Sequence, residues 1–210
     1  KGTTINATNN YGYFIQNDIR TLTTFGEWFY NGTRLYVYFG SKSPVNYTVR
    51  VPSVNNLIYN SSYDYIDINN IHFRGAIESS INMERYVDYS SVRNCVFNFS
   101  GEHAIRLHNV RYSTFDGNDI NHSVSAGIWQ DSSEETSLTN NTVTNSGMLL
   151  GASLLSSLGV GIGSNYCNDI LIQYNSVDSS GYNGISFAGH RNIIKNNFVN
   201  NSVLLLNDGS

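Results

Sequence analysis

The stretch YNSVDSSGYNGISFAG, residues 174–189, holds two short phrases that have already occurred earlier in the chain. One is Asn-x-Val, at Asn175 to Val177; the other is Gly184-Ile185. The first phrase recurs as Asn94-x-Val96, Asn118-x-Ile120, Asn141-x-Val143 and Asn197-x-Val199, and successive members of the series lie 24, 23, 34 and 22 residues apart. Asn70 stands another 24 residues upstream, with His72 at its apolar position. The second phrase runs in step as Ala104-Ile105, Gly127-Ile128, Gly161-Ile162 and Gly184-Ile185, spaced by 23, 34 and 23 residues. Both series lengthen by eleven residues at one place, between Asn141 and Gly161. Two independent markers that stretch together report a loop inserted into one repeat.

Within each unit the apolar pattern has period two, as in Ile105/Leu107 and Ile185/Phe187, and no run sustains helical spacing. A unit of about 23 residues with short strands cannot close a core alone, but stacked on copies of itself at about 4.8 Å it can. The expected fold is therefore all-β, a parallel β-helix over residues 63–210. Ile, Val and Leu form inward columns, and the recurring Asn bridges its amide to the coils on either side. A buried amide needs partners for its donors and acceptor, and an identical neighbour supplies them. Residues 1–62 read differently: Gly26–Tyr30 and Leu35–Phe39 flank Asn31-Gly32, a hairpin signal, and Thr48–Val54 alternates like a further strand.

Composition excludes several classes. The chain has 210 residues, 13% charged, with a formal net charge of −4. It contains 30 Asn, 27 Ser and 13 Thr against three Lys, so its surface offers hydrogen bonds rather than a field. Nucleic acid needs clustered cations and is not an expected partner. No apolar run approaches the roughly 20 residues of a membrane span. Cys95 and Cys167 match neither a disulfide framework nor a metal spacing, and are expected as unpaired thiols near the core. No cofactor is expected; Asp116-Gly117-Asn118-Asp119 offers oxygens that suit Ca²⁺, but too few carboxylates gather there.

The repeat register places chemistry. If Ile77, Ile105, Ile128, Ile162 and Ile185 point inward, the next residue of each points out, giving Glu78, Arg106, Trp129, Gly163 and Ser186. Two positions further lie Ser80, His108, Asp131, Asn165 and Ala188, and His103 stands one coil beneath Ala126. Glu78, His103, Arg106, His108, Trp129 and Asp131 would then share one face within about three coils, roughly 15 Å. An exposed Trp suits stacking on a sugar, and Arg106 suits bidentate pairing with a uronate carboxylate. His103 or His108 is a candidate base for removing the C5 proton in a lyase reaction. Hydrolysis would instead need two carboxylates about 5–9 Å apart, for which Glu78, Glu102, Asp131 and Asp208 are the candidates. Against this stands a bland alternative in which Arg106 and Asp131 form a surface ion pair and the insertion after Gly147 covers Trp129.

The phrases YIDINNIHFRGA (65–76), GEHAIRLHN (101–109), GNDINHSVSAGI (117–128), NSVDSSGYNGI (175–185) and NNFVNNSVLLLNDGS (196–210) resemble right-handed parallel β-helix proteins of the pectin-lyase-like type. The upstream phrases GYFIQN (12–17), GEWFYNGTRLYVYF (26–39) and YTVRVPSVNNLI (47–58) resemble the segment preceding the coils in large secreted bacterial members, many from Bacteroidetes. The resemblance implies a right-handed solenoid, a secreted or cell-surface location and action on acidic polysaccharides. The closing Asn207-Asp208-Gly209-Ser210 resembles a lead-in to another strand, so a piece of a longer solenoid, cut in its last coil, is expected. Two functions compete: a carbohydrate-active protein that binds and cleaves polysaccharide or oligosaccharide along one face, as lyase or glycosidase, and a non-catalytic adhesin or spacer.

Overall fold

The Asn-x-Val and Gly-Ile columns organise three parallel sheets, each with six strands, and each coil contributes one strand to every sheet. In the computed structural model the described residues are 18–149 and 159–205. They fall into two units that divide between Arg50 and Val51.

In the first unit Trp28–Tyr30 pairs antiparallel with Leu35–Val37, in the register Trp28 with Val37. The turn between them is closed by Asn31, whose Oδ1 accepts from the amides of Thr33 and Arg34 at 3.0 and 2.8 Å. Gly32 sits there at φ 93°, a conformation only glycine adopts without strain. Phe25, Phe39 and Tyr47 cluster beneath the ammonium of Lys42. Thr48–Val54, expected as a strand, has no strand pairing.

The second unit is the solenoid. Its first sheet holds Ile58–Ser61, Ile81–Asp88, Ile105–Arg111, Ile128–Asp131, Ile162–Asn165 and Ile185–Phe187. The second holds Asp67–Asn69, Ser91–Arg93, Thr114–Asp116, Ser137–Thr139, Leu171–Gln173 and Ile193–Lys195. The third holds His72–Ala76, Val96–Ser100, Asp119–Ser123, Thr142–Ser146, Ser176–Ser180 and Phe198–Asn200. Inward columns fill the interior: Ile81, Ile105, Ile128 and Ile162 on the first sheet, and Val92, Phe115, Leu138 and Ile172 on the second. Residues 150–158, within the insertion, lie outside the described residues, as do 12–17 and 206–210.

The asparagine ladder forms, one position away from the expected register at its start. Asn118, Asn141 and Asn175 are buried, and each Nδ2 donates to the next Oδ1, ending on Asn197, at 2.9, 3.0 and 2.9 Å. Each Oδ1 also takes the backbone amide of the Asn below it, as Asn141 does from Asn118 at 3.0 Å. Asn94 is not a rung. The ladder place in its coil belongs to Cys95, whose amide donates to Asn118 Oδ1 at 3.1 Å. Asn94 stands one residue earlier, exposed, at φ 51°, in a turn column with Asn70, Gly117, Asn140 and Asn196. Asn is favoured in both columns, in one for its amide and in the other for tolerating a left-handed backbone. The same shift places Phe97, not Val96, under Ile120.

The Gly-Ile phrase has a steric cause. A Cβ on Gly127 or Gly161 would lie 2.3 or 2.2 Å from a methyl of Val143 or Val177, and 2.9 or 2.6 Å from the carbonyl of the next coil. The corner closes onto the third sheet there, and a side chain would push coils apart.

Candidate polysaccharide-binding face

The outer face of the first sheet brings most of the expected residues together. Trp129 pairs in register with Arg106 and Gly163, and Asp131 with His108 and Asn165. The first coil corrects the expectation: Ile81, not Ile77, is in register with Ile105. Asn82 therefore stands beside Arg106, and Glu84 beside His108. Glu78 lies outside the face, in the turn before the strand, with its carboxylate oxygens taken by the amides of Asn55 and Asn56 at 2.9 and 3.3 Å. Ile77 is exposed because it precedes the strand. The sequence offered Ile77 and Ile81 four residues apart, and apolar character alone did not separate them.

His103 is the second correction. It is 4% exposed and lies at the corner before the strand, where its Nδ1 accepts from the Ala126 amide at 3.1 Å. Burial, reinforced by the Arg106 cation, lowers its pKa to about 3, so the ring is neutral at ordinary pH. It packs against Trp129 with ring centroids 6.1 Å apart and 15° between planes. On the other coil the indole lies across Gly163, where a Cβ would sit 2.3 Å from the ring. His103 and Gly163 thus hold Trp129 in place, and neither is a proton carrier. The unfolded chain charges His103 near pH 6.5, whereas the folded chain resists down to about 3. Its contribution is present above pH 6.5 and is lost as pH falls towards 3. His103→Asn is expected to flatten that acid-side decline, read from urea unfolding at stepped pH; an unchanged slope would rule out this source.

His108 and Asp131 form a dyad, with His108 Nδ1 3.3 Å from Asp131 Oδ2 and the two side chains 38% and 31% exposed. Asn165 donates to the other oxygen of Asp131 at 3.2 Å. Held from both adjacent coils, the carboxylate orients the imidazole through Nδ1. Glu84, which sequence reading missed, continues the same column and accepts from the Tyr59 hydroxyl at 2.5 Å. Arg106 has no carboxylate partner among the described residues, because Asp131 is engaged by His108 and Asn165. The surface ion pair of the bland alternative is therefore absent. Leu149 at the start of the insertion is exposed, and the rest of the insertion that would cover Trp129 lies outside the described residues. Glu102 lies in the turn next to Glu78, to whose carbonyl its amide donates at 2.8 Å; Asp208 is outside the described residues.

Asp116, named above for Ca²⁺, is bonded to Thr139 and Asn140, and Asn118 serves the ladder. Among the described residues no three metal-ligating side chains converge, and no helix is long and apolar enough to cross a membrane. Cys95 and Cys167 are both buried and unpaired, and burial raises the Cys167 thiol to about 11.

Three parallel sheets, a buried amide ladder and one face bearing a guanidinium, an indole and an imidazole–carboxylate dyad define a parallel β-solenoid with a polar outer face. The family model described as the right handed beta helix region matches residues 46–203, and the chain belongs to that family. No curated protein matches the sequence. The chain is similar in structure to the enzymatically active domain of tailspike protein 2 of bacteriophage CBA120, with 15% identity and a TM-score of 0.44. The similarity covers 65% of this chain and 22% of that one.

Proposed function

We propose that the protein binds an acidic polysaccharide along the outer face of the first sheet and cleaves it by β-elimination, outside the cell or at its surface. The observation that carries the reading is Arg106, a guanidinium without a carboxylate partner among the described residues, in register with an indole held between His103 and Gly163. A sugar carboxylate can satisfy this guanidinium bidentately. Trp129, half-buried between His103 and Gly163 rather than exposed, offers a sugar ring only the part of the indole these two leave open.

The dyad supplies the base. His108 Nε2 removes the C5 proton, the C5–H electron pair forms the C4–C5 double bond, and the C4–O bond breaks. Asp131 stabilises the imidazolium, and Arg106 stabilises charge growing on the carboxylate. The departing oxygen takes a proton from water. Trp129→Ala is expected to weaken oligogalacturonate binding by about 1–3 kcal/mol in calorimetry, a typical loss for a stacked anchor. Equal affinities for variant and wild type would remove Trp129 from the site.

A non-catalytic surface module is favoured by one feature: above Trp129 and Asp131 the same columns continue with Gly163, Ser186 and Asn165, none of them ionisable. Incubation with polyuronates separates the two readings. Ultraviolet absorbance of an unsaturated product supports elimination; binding without new double bonds or new reducing ends supports the module.

A further inference from the structure

We propose a second glycan-binding site, independent of the first and selective for an uncharged oligosaccharide, at the corner between the first and second sheets. Tyr65, Tyr89 and Tyr112 hold the same corner position in three successive coils, each amide donating to the carbonyl of the coil above. Their rings stack at 5.2 and 4.9 Å with 8° and 12° between planes. They are nevertheless 74%, 51% and 42% exposed.

The turn does not call for tyrosine. The three sit at φ 59°, 52° and 51°, a left-handed region that bulky side chains disfavour. The following coils meet the same backbone requirement with Glu135, Asp169 and Arg191. Three coils therefore carry an aromatic row where a polar residue suffices, and that row forms one wall of an open cleft of about 400 Å³. Asp67, Ser91, Arg93 and Thr114 of the second sheet line the remainder.

Charge decides the ligand class. Asp67 accepts from Ser91 and from Arg93, the latter at 3.4 Å, so cation and anion are already matched within the cleft. Arg111, beside Tyr112, is held bidentately by Asp88 at 3.0 and 2.6 Å. A sugar carboxylate finds no free cation here and meets Asp67. An uncharged sugar offers hydroxyls to Tyr, Ser and Thr, and its C–H face to the open side of the Tyr65 ring. The first sheet, with Arg106 unmatched, makes the opposite choice.

Titration calorimetry with neutral hexasaccharides of glucose, mannose, galactose and xylose, and separately with oligogalacturonate, tests this. At least one neutral hexasaccharide is expected to bind with an affinity that salt leaves unchanged. Tyr89→Asn, which keeps a residue tolerant of left-handed φ, is expected to weaken it by about tenfold or more, while Trp129→Ala leaves it intact. Tyr65→Asn, at the more exposed end of the stack, carries the same test if Tyr89→Asn fails to fold. The proposal is overturned if no neutral hexasaccharide binds, if both tyrosine variants keep wild-type affinity, or if Trp129→Ala abolishes the signal. Silence with oligogalacturonate alone would sink the reading of the first sheet and leave this one standing.

Discussion

Asn141→Ala is expected to lower the unfolding free energy by about 2–4 kcal/mol, while Asn94→Gly leaves it within about 0.5 kcal/mol. Asn141 accepts from both the amide and the side chain of Asn118, and it donates to Phe115 O and to Asn175 Oδ1. Truncation removes all four bonds inside a dry interior. The Asn118 amide and the Phe115 carbonyl each lose a partner where water does not reach, at about 1–3 kcal/mol per unsatisfied group. Asn94 makes one exposed side-chain bond, to Asn69 at 3.2 Å, and glycine relieves its left-handed backbone. Urea unfolding of the two variants beside wild type measures the contrast. Equal losses would mean that Asn94, not Cys95, belongs to the ladder.

His108→Ala is expected to reduce polyuronate turnover by about 10²–10⁴-fold with little change in KM, the usual weight of a general base. His108 is a partly exposed imidazole beside Asp131 on this face, whereas His103 is buried and neutral. Asp131→Asn keeps the shape of the column but removes the charge that steadies the imidazolium. It is expected to lower turnover by a smaller factor, again with KM near wild type. Arg106→Lys should raise KM as well, because an ammonium cannot reproduce the bidentate fork. Measured initial rates of unsaturated product decide the matter; a His108→Ala variant with unreduced turnover would return the face to a purely binding role.

The periodic architecture was legible in the chain because each coil repeats the same packing problem. Gly127, Gly161 and Gly184 recur where the corner approaches Val143, Val177 and Val199 too closely for a side chain. Asn118, Asn141 and Asn175 recur because a buried amide is satisfied by its own copy. The columns carrying Arg106 with Trp129 and His108 with Asp131 followed from that register. Where two neighbouring columns favour the same residue type for different reasons, sequence could not choose: Asn94 satisfies a left-handed turn, and its likeness to the ladder residues is chemical only. Where one coil offers two isoleucines, as at Ile77 and Ile81, only backbone pairing shows which enters the interior, and with it whether Glu78 or Glu84 reaches the face.

Spacing and residue type by themselves determined the solenoid, its coil length and the inward columns, because those depend on identical contacts repeated along one axis. The three-dimensional structure alone decided that Arg106 lacks a carboxylate partner among the described residues, that His103 is buried and uncharged, and that three tyrosines form the wall of a cleft. Each of these depends on which side chains from different coils meet at one point and on how much water remains there. A linear pattern fixes the order of residues along a strand, but not the competition among neighbours for the same partner.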